Sequence, residues 1–192
     1  MLEIKEIHKT FFEGTPNEVR ALRGVSLSIE RGSFVCVIGT NGSGKSTLLN
    51  AVAGAFIVDS GQIELNGTDI TRLPEHRRAR LIGRVFQDPF SGTAPSMTIA
   101  ENLVLASRRG KWRGLSWALP MSRRVGLRDR VAAMGLGLED RLNNPIGTLS
   151  GGQRQSLTLL MAALVKPSLL LLDEHTAALD RSEEHTSELQ SP

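Results

Sequence analysis

The residues whose types and spacing point most directly to chemistry form a glycine-rich run. Residues Gly39–Thr47, called here the phosphate loop, read GTNGSGKST and contain the spacing G-x-x-x-x-G-K-S. Glycines at this spacing let backbone N–H groups converge on phosphate oxygens, and a following helix adds free N–H groups and partial positive charge. Lys45 supplies a cation for the terminal phosphates, and the Ser46 hydroxyl is a candidate ligand for Mg²⁺. We therefore predict a nucleoside triphosphate site, rather than a flexible glycine linker, at this loop.

The predicted phosphate contacts are Gly39, Asn41, Gly42, Ser43, Gly44, Lys45, Ser46 and Thr47.

A second candidate lies where an apolar run ends in two acids. Residues Leu169–Glu174 read LLLLDE, and phosphates bind at the carboxyl ends of strands in open α/β sheets. Asp173 is the candidate for holding Mg²⁺, and Glu174 is placed to orient or deprotonate an attacking water. A strand followed by two acids is common, so this interpretation depends on the phosphate loop. Alone, the two acids would indicate only a solvated strand end.

A third motif is LSGGQ, at Leu149–Gln153. Ser150 with Gln153 three residues later predicts a capping box at the start of a helix. Two glycines in the first turn would also allow a phosphate to approach the helix terminus closely. The residues by themselves fit either a well-capped helix or a second phosphate-facing terminus.

Apolar patterns predict the strands that must position these groups. Leu2–Ile7 and Val25–Ile29 alternate apolar and polar residues, which favours half-exposed strands, and Gln62–Leu65 predicts a strand followed by a tight turn. Phe34–Ile38 is continuously apolar, which predicts a strand buried on both faces of a parallel sheet directly before the phosphate loop. Leu169–Leu172 predicts a second apolar strand, before the two acids.

Helical periodicity accounts for the segments between these strands. A stripe from Leu48 to Ala53 ends at Gly54, and a second stripe from Leu157 to Leu164 ends before Pro167. From about residue 88 to residue 147 the chain has short helical patterns and few apolar β runs. Strands and helices in this order predict an α/β architecture with a helical insertion.

Composition narrows the class of protein. The chain has 192 residues, 40% of them hydrophobic and 22% charged, which is typical of a folded medium-sized domain. The net charge of +3 gives no argument for nucleic-acid binding. No run approaches the roughly 20 apolar residues that span a bilayer, so we expect no membrane-spanning helix. The N-terminus has no apolar signal region, so we expect no secretory signal peptide. The single Cys36 excludes an intramolecular disulfide.

With Gln87 in VFQDP, the three motifs are similar in order and spacing to those of the ATP-binding subunits of ABC transporters, over residues 1–180. The resemblance implies an α/β P-loop NTPase of the ABC type, with a mainly parallel core sheet, an N-terminal antiparallel β subdomain and an inserted helical subdomain. The core would be about residues 1–87 and 166–180, and the insertion about residues 88–165. The implied activity is ATP hydrolysis, with ATP and Mg²⁺ bound.

The resemblance also implies roles for individual residues. Gln87 is similar to the glutamine that contacts Mg²⁺ and the attacking water, which makes it catalytic together with Lys45 and Glu174. Phe11 matches the aromatic residue that stacks on adenine, with Phe12 as a rival, because stacking needs only a π face. Ala177–Asp180 are similar to the loop that follows the acidic pair in the family, and Ala177 stands where the family usually has serine. The LSGGQ residues that would contact ATP are Leu149, Ser150, Gly151, Gly152 and Gln153.

The implied partners follow from the same resemblance. Two ATP-binding subunits, either identical or paired, would dimerise head to tail, with each ATP between one subunit's phosphate loop and the other's LSGGQ. A separate permease and a substrate-binding protein would complete a bacterial importer, whose solute we expect to be an amino acid. The subunit would lie at the cytoplasmic face of the inner (plasma) membrane, and no nucleic acid is expected as a partner.

A basic segment in the insertion has two interpretations, a solvated helical face or a contact surface for permease loops or anionic lipids. Its residues are Arg108, Arg109, Lys111, Arg113, Arg123, Arg124, Arg128 and Arg130.

Two other functions stay open from the sequence. A soluble ABC-type ATPase could act on ribosomes or DNA, although the stretch between Lys45 and Ser150 has no room for the long coiled coil of the DNA-repair members. The second alternative is a nucleotide-binding fragment without catalysis.

The last residues do not fit the resemblance. Arg181–Ser191 match the translation of a common short-read sequencing adapter, so we expect natural sequence to end near Asp180 and residues 181–192 to be a non-native tail. The family carries a histidine at the end of a later strand, and neither His175 nor His185 suits that place. We therefore expect the chain as written to be poorly stable and weak in ATP hydrolysis.

Overall fold

The computed structural model of the chain describes residues 1–88, 90–110 and 121–173, with residues 121–125 described by backbone only. The chain divides into two compact units, one of residues 1–82 and one that begins at Gly83.

The first unit is built on an antiparallel sheet of four strands in the order β2-β1-β3-β4. The strands are β1 (Leu2–Phe11), β2 (Val19–Ile29), β3 (Ser60–Leu65) and β4 (Thr68–Asp69). Two helices, α1 (Lys45–Ala53) and α2 (Glu75–Arg78), belong to the same unit. The predicted alternation buries Leu2, Ile4 and Ile7 in β1, whereas β2 buries only Leu22 and both residues of β4 are exposed. The buried apolar residues of this unit include Leu2, Ile4, Ile7, Leu22, Val52, Ile63, Leu65 and Ile70.

In the part of the second unit that the structure describes there are a two-stranded sheet and three helices. Strands β5 (Ile82–Val85) and β6 (Leu169–Leu172) pair, and their carboxyl ends meet where the Asp173 N–H donates to the Val85 carbonyl at 3.2 Å. The helices are α3 (Ile99–Ser107), α4 (Met121–Ala132) and α5 (Gly151–Ala163), with a 3₁₀ turn at Ile146–Thr148. Their shared core consists of Ile99, Leu103, Val104, Leu127, Val131, Leu138, Ile146, Leu149 and Leu157.

Most predicted elements are confirmed. The two alternating runs lie inside β1 and β2, Gln62–Leu65 lies in β3, and the tight turn after it uses Asn66 and Gly67 at positive φ. The helical region between residues 88 and 147 and the capped helix after it are also present. The α/β class, with an antiparallel N-terminal sheet and a separate parallel sheet, is therefore confirmed.

The prediction of a buried strand at Phe34–Ile38 is wrong for this structure. The segment has no strand assignment, and Phe34 and Ile38 are 86% and 89% exposed. An apolar run becomes a buried strand only when neighbouring strands take its backbone hydrogen bonds and other elements cover both faces. Within the described residues, β5 and β6 pair with each other and with no third strand. Leu169–Leu172 does form a strand, but only Leu171 in it is buried.

Candidate functional site

The phosphate loop is an exposed segment that leads directly into α1. Gly42 and Gly44 have φ of 81° and 92°, a backbone conformation that residues with side chains rarely adopt. A Cβ on Gly44 would lie 2.8 Å from the Ala21 carbonyl oxygen on β2, so only glycine fits where the loop meets the sheet. No described side chain caps α1, and the N–H groups of its first turn are therefore available to an anion.

The Lys45 side chain bonds back to the start of the phosphate loop. Its Nζ donates to the carbonyl oxygens of Gly39 at 2.6 Å and Thr40 at 2.9 Å. A turn in which the Ser43 N–H donates to the Thr40 carbonyl at 3.2 Å brings these groups together. An ammonium has three donor hydrogens, so one remains for a phosphate oxygen. The loop thus combines backbone donors, a helix terminus and a fixed cation, a set that suits a polyphosphate.

A buried arginine that the sequence analysis missed fixes the other end of α1. The guanidinium of Arg78, which is fully buried, donates to the carbonyls of Ala51 at 2.7 Å, Val52 at 2.9 Å, Leu73 at 2.8 Å and Thr71 at 2.8 Å. Burial lowers the pKa of the guanidinium, which still stays charged at neutral pH. A cation at a helix C-terminus also complements the helix dipole. No signal in EHRRAR separates this arginine from its exposed neighbours.

The two candidates for adenine stacking differ in their surroundings. Phe11 is half-buried at the end of β1, where its ring meets that of Phe56 edge to face with the centroids 5.3 Å apart. The Lys9 ammonium lies 5.6 Å from both ring centroids. Phe12 is 69% exposed. The choice between Phe11 and Phe12 stays a prediction.

The acidic end of β6 carries an ion pair that was not predicted. Asp173 is half-buried, and its Oδ2 lies 3.9 Å from Nη2 of Arg84 on β5. The guanidinium of Arg84 also stacks on Phe86, 4.5 Å from the ring centroid. The signal in the sequence that could have indicated this ion pair is Arg84, a charged residue in an apolar run directly before Phe86. Glu174 lies outside the described residues, as do Ala177–Asp180.

The candidate Mg²⁺ ligands are all oxygen donors of the kind this ion prefers. Ser46 presents an exposed hydroxyl in the first unit, while Gln87 and Asp173 present an amide oxygen and a carboxylate in the second. The described residues contain no group of three or more His, Cys, Asp or Glu side chains that could hold a metal. Mg²⁺ in nucleotide sites takes one or two carboxylates together with phosphate and water oxygens, so the oxygen donors present in each unit are of a kind that fits it.

Gln87 is exposed at a bend after β5, at the start of a loop that Asp88 organises. Asp88 Oδ1 accepts from the Phe90 N–H at 2.9 Å, and its Oδ2 accepts from the Ser91 hydroxyl at 3.0 Å. An aspartate bonding to the backbone two residues later is a common way to fix a turn. Gln87 is thus held next to an ordered turn.

The capping box predicted for LSGGQ is confirmed. The Ser150 hydroxyl accepts from the Gln153 N–H at 3.3 Å, and the Gln153 side chain accepts from the Ser150 N–H at 3.3 Å. Apart from the adjacent residues and the backbone of α5, no described atom lies within 4 Å of where a Cβ on Gly151 or Gly152 would stand. Packing inside the described part of the chain therefore does not require these glycines, and they leave room for a ligand or a second chain.

Some of the basic segment caps a helix rather than facing solvent. Arg109 Nη2 donates to the carbonyls of Ala162 and Val165, both at 3.0 Å, at the end of α5. Arg128 pairs with Asp140 at 2.6 Å. Lys111 and Arg113 and the side chains of Arg123 and Arg124 lie outside the described residues.

No helix in the described part of the chain is both long enough and apolar enough to cross a bilayer.

Comparison with protein families matches residues 22–177 to the ABC transporter family. The tyrosine transport ATP-binding protein of Clostridioides difficile is 48% identical over 182 residues, which are 94% of this chain and 71% of that protein. A lipoprotein-releasing system ATP-binding protein of Caulobacter vibrioides is 36% identical over 94% of this chain and 75% of its own length.

Among solved structures, an ATP-binding cassette in a dimeric post-hydrolysis state bound to ADP and Pi is similar in fold. Its TM-score is 0.78 at 30% sequence identity, and the match covers 95% of this chain and 77% of that one.

Proposed function

The chain belongs to the ABC transporter family as an ATP-binding subunit with ATPase activity, and we propose that it powers import of a solute through a separate permease. The observation that carries the solute is the 48% identity to a tyrosine transport ATP-binding protein. Import is the direction that the uptake experiment below tests. On that basis the solute class is amino acids, with a substrate-binding protein as a further partner. The subunit would work at the cytoplasmic face of the inner membrane, with no nucleic acid involved.

The proposed chemistry is attack of water on the γ-phosphate of ATP. Glu174 accepts a proton from the water as its oxygen bonds to the γ-phosphorus, and the bond to the bridging oxygen breaks, so that ADP leaves with the electron pair. Lys45 and the N–H groups of the phosphate loop offset charge on the phosphates, and Gln87 orients the water. Phe11 stacks on adenine. Mg²⁺, held by Ser46, Gln87 and Asp173, would offset further phosphate charge when bound.

The proposed assembly is a head-to-tail dimer in which LSGGQ of one chain faces ATP on the other. Two observations support it, the open space in front of Gly151 and Gly152 and the fold similarity to a dimeric cassette bound to ADP and Pi. We propose further that residues of about 88–165 form a helical insertion in a core of about 1–87 and 166–180. The contact with the permease would then be made by the insertion.

The test is uptake of radiolabelled tyrosine by cells of the source organism. Deletion of the gene should lower uptake, the wild-type gene should restore it, and Lys45→Met should not. Lys166→Met, which changes an exposed lysine, serves as the matched control and should restore uptake.

The similarity to a lipoprotein-releasing protein favours a second candidate, transport directed out of the membrane. If deletion of the gene leaves tyrosine uptake unchanged, and a lipoprotein stays in the inner membrane of the deletion strain, this candidate is supported and import is contradicted.

A further inference from the structure

An aromatic side chain in the loop after β5 stacks on a buried arginine of α5. The guanidinium carbon of Arg154 lies 3.7 Å from the ring centroid of Phe90. Arg154 is only 4% exposed, whereas Phe90 is 52% exposed. A guanidinium over an aromatic face at this distance is held by electrostatic attraction to the ring as well as by contact.

The arginine end of this stack holds the backbone that enters LSGGQ. Arg154 Nη2 donates to the carbonyl oxygens of Gly147 at 2.9 Å and Leu149 at 3.0 Å. Leu149 directly precedes Ser150, the N-cap of α5. The planar guanidinium therefore uses its edge for these two carbonyls and its face for the ring of Phe90.

The aromatic end of the stack is held by the loop that contains Gln87. The Phe90 N–H donates to Asp88 Oδ1 at 2.9 Å, and the Phe90 carbonyl accepts from the Thr93 N–H at 3.1 Å. Asp88 follows Gln87 in the chain. The turn that carries Phe90 therefore begins directly after Gln87.

We propose that Phe90 and Arg154 are positioning residues that couple the loop at Gln87 to the start of the LSGGQ helix within one chain. Their stack sets how Ser150 is presented to ATP on a second copy, so it governs dimerisation rather than ATP binding by the single chain. This inference rests on the proposed head-to-tail dimer.

The experiment measures ATP-dependent dimerisation of the Glu174→Gln chain by analytical ultracentrifugation, with and without Phe90→Leu. Leucine keeps much of the volume of Phe90 but has no π face. The association constant for dimerisation should fall by roughly twofold to fivefold, the size of a cation–π contact at a partly exposed ring. The affinity of the dilute monomer for a fluorescent ATP analogue should change by less than a factor of about two.

Two further variants separate coupling from a general loss of structure. Phe90→Tyr keeps the ring and should dimerise as the parent does. Arg154→Met should weaken dimerisation, and adding Phe90→Leu to it should have little further effect, because the stack is already lost.

The outcomes distinguish this inference from the proposal beneath it. A parent chain that stays monomeric in ATP would overturn the head-to-tail dimer and this inference with it. If the parent dimerises and Phe90→Leu dimerises equally well, only the coupling is refuted. Equal losses of dimerisation and of monomer ATP affinity in Phe90→Leu, or no rescue by tyrosine, would also refute it.

Discussion

At the scale of single residues, Arg78 shows how one buried cation can serve several backbone acceptors. Its guanidinium satisfies two carbonyls at the C-terminal end of α1 and two in the segment before α2. Truncation would leave four carbonyls without this donor, and buried polar groups without partners are costly. Gly54 accommodates the side chain, since a Cβ there would lie 2.8 Å from Arg78.

We expect Arg78→Met to lower the free energy of unfolding by about 3–5 kcal/mol, because four backbone carbonyls lose their hydrogen-bond donor. Urea denaturation measures the change. Arg77→Met is the matched control, since Arg77 is exposed one position earlier, and it should change stability by no more than about 0.5 kcal/mol. A loss below about 1 kcal/mol in Arg78→Met would contradict this role.

The side chain of Asp59, directly before β3, bonds to two residues of β1. Its carboxylate lies 2.6 Å from Lys9 Nζ and accepts from the Thr10 N–H at 2.6 Å. The Lys9 hydrogen bond, followed by that of Thr10, holds the pKa of Asp59 below its usual 3.8. A carboxyl whose pKa is depressed on folding stabilises the fold above its unfolded pKa, and the stabilisation is lost as the pH falls through the folded value.

Asp59→Asn should therefore lower stability at pH 7 and have a diminishing effect below pH 3.8. The loss at pH 7 should not exceed about 1 kcal/mol, because the carboxylate is 40% exposed and the pair is screened by water. Urea denaturation of wild type and variant at pH 7 and in acid tests this. A difference that persists or grows in acid would rule it out.

At the scale of secondary structure, α3 and α5 begin with the same capping device. Thr98 and Glu101 exchange hydrogen bonds at the start of α3, as Ser150 and Gln153 do at the start of α5. The two boxes are alike in chemistry, but only the second lies in a motif for which we propose a ligand. They therefore allow a structural contribution to be separated from a functional one.

Thr98→Ala and Ser150→Ala should each lower the free energy of unfolding by about 1 kcal/mol, the usual loss on removing an N-cap hydroxyl. Only Ser150→Ala should also reduce ATP-dependent dimerisation, by roughly tenfold, the loss of one hydrogen bond to a charged group. Chemical denaturation and ultracentrifugation measure the two effects. Equal dimerisation of both variants would show that Ser150 acts as a cap alone.

Local chemistry explains which elements could be predicted from the sequence. The strands of the first sheet, the turn after β3 and the cap of α5 depend on neighbouring residues, so period and capping patterns were sufficient. Phe34–Ile38 was mispredicted because its pairing depends on other strands, which its own pattern does not report. Arg78 and Arg154 were missed because burial of a charge is decided by partners elsewhere in the chain.

At the scale of the whole molecule, the predicted site residues are divided between two units. The phosphate loop and Phe11 belong to the first unit, and Gln87, LSGGQ and Asp173 belong to the second. The motifs in both units could be recognised in the sequence, because each is a short run of adjacent residues. The ion pair of Arg84 with Asp173 was not, since it joins two strands that are distant in the chain.

Binding of ATP by the phosphate loop is the claim on which the rest of the account depends, and calorimetric titration of the whole chain with ATP and Mg²⁺ tests it most directly. Lys45→Met should weaken binding by roughly tenfold to a hundredfold, because a charge-assisted contact with phosphate is lost. Lys166→Met, at an exposed lysine, should bind as the wild type does. Equal ATP affinity in the wild type and Lys45→Met would contradict the account.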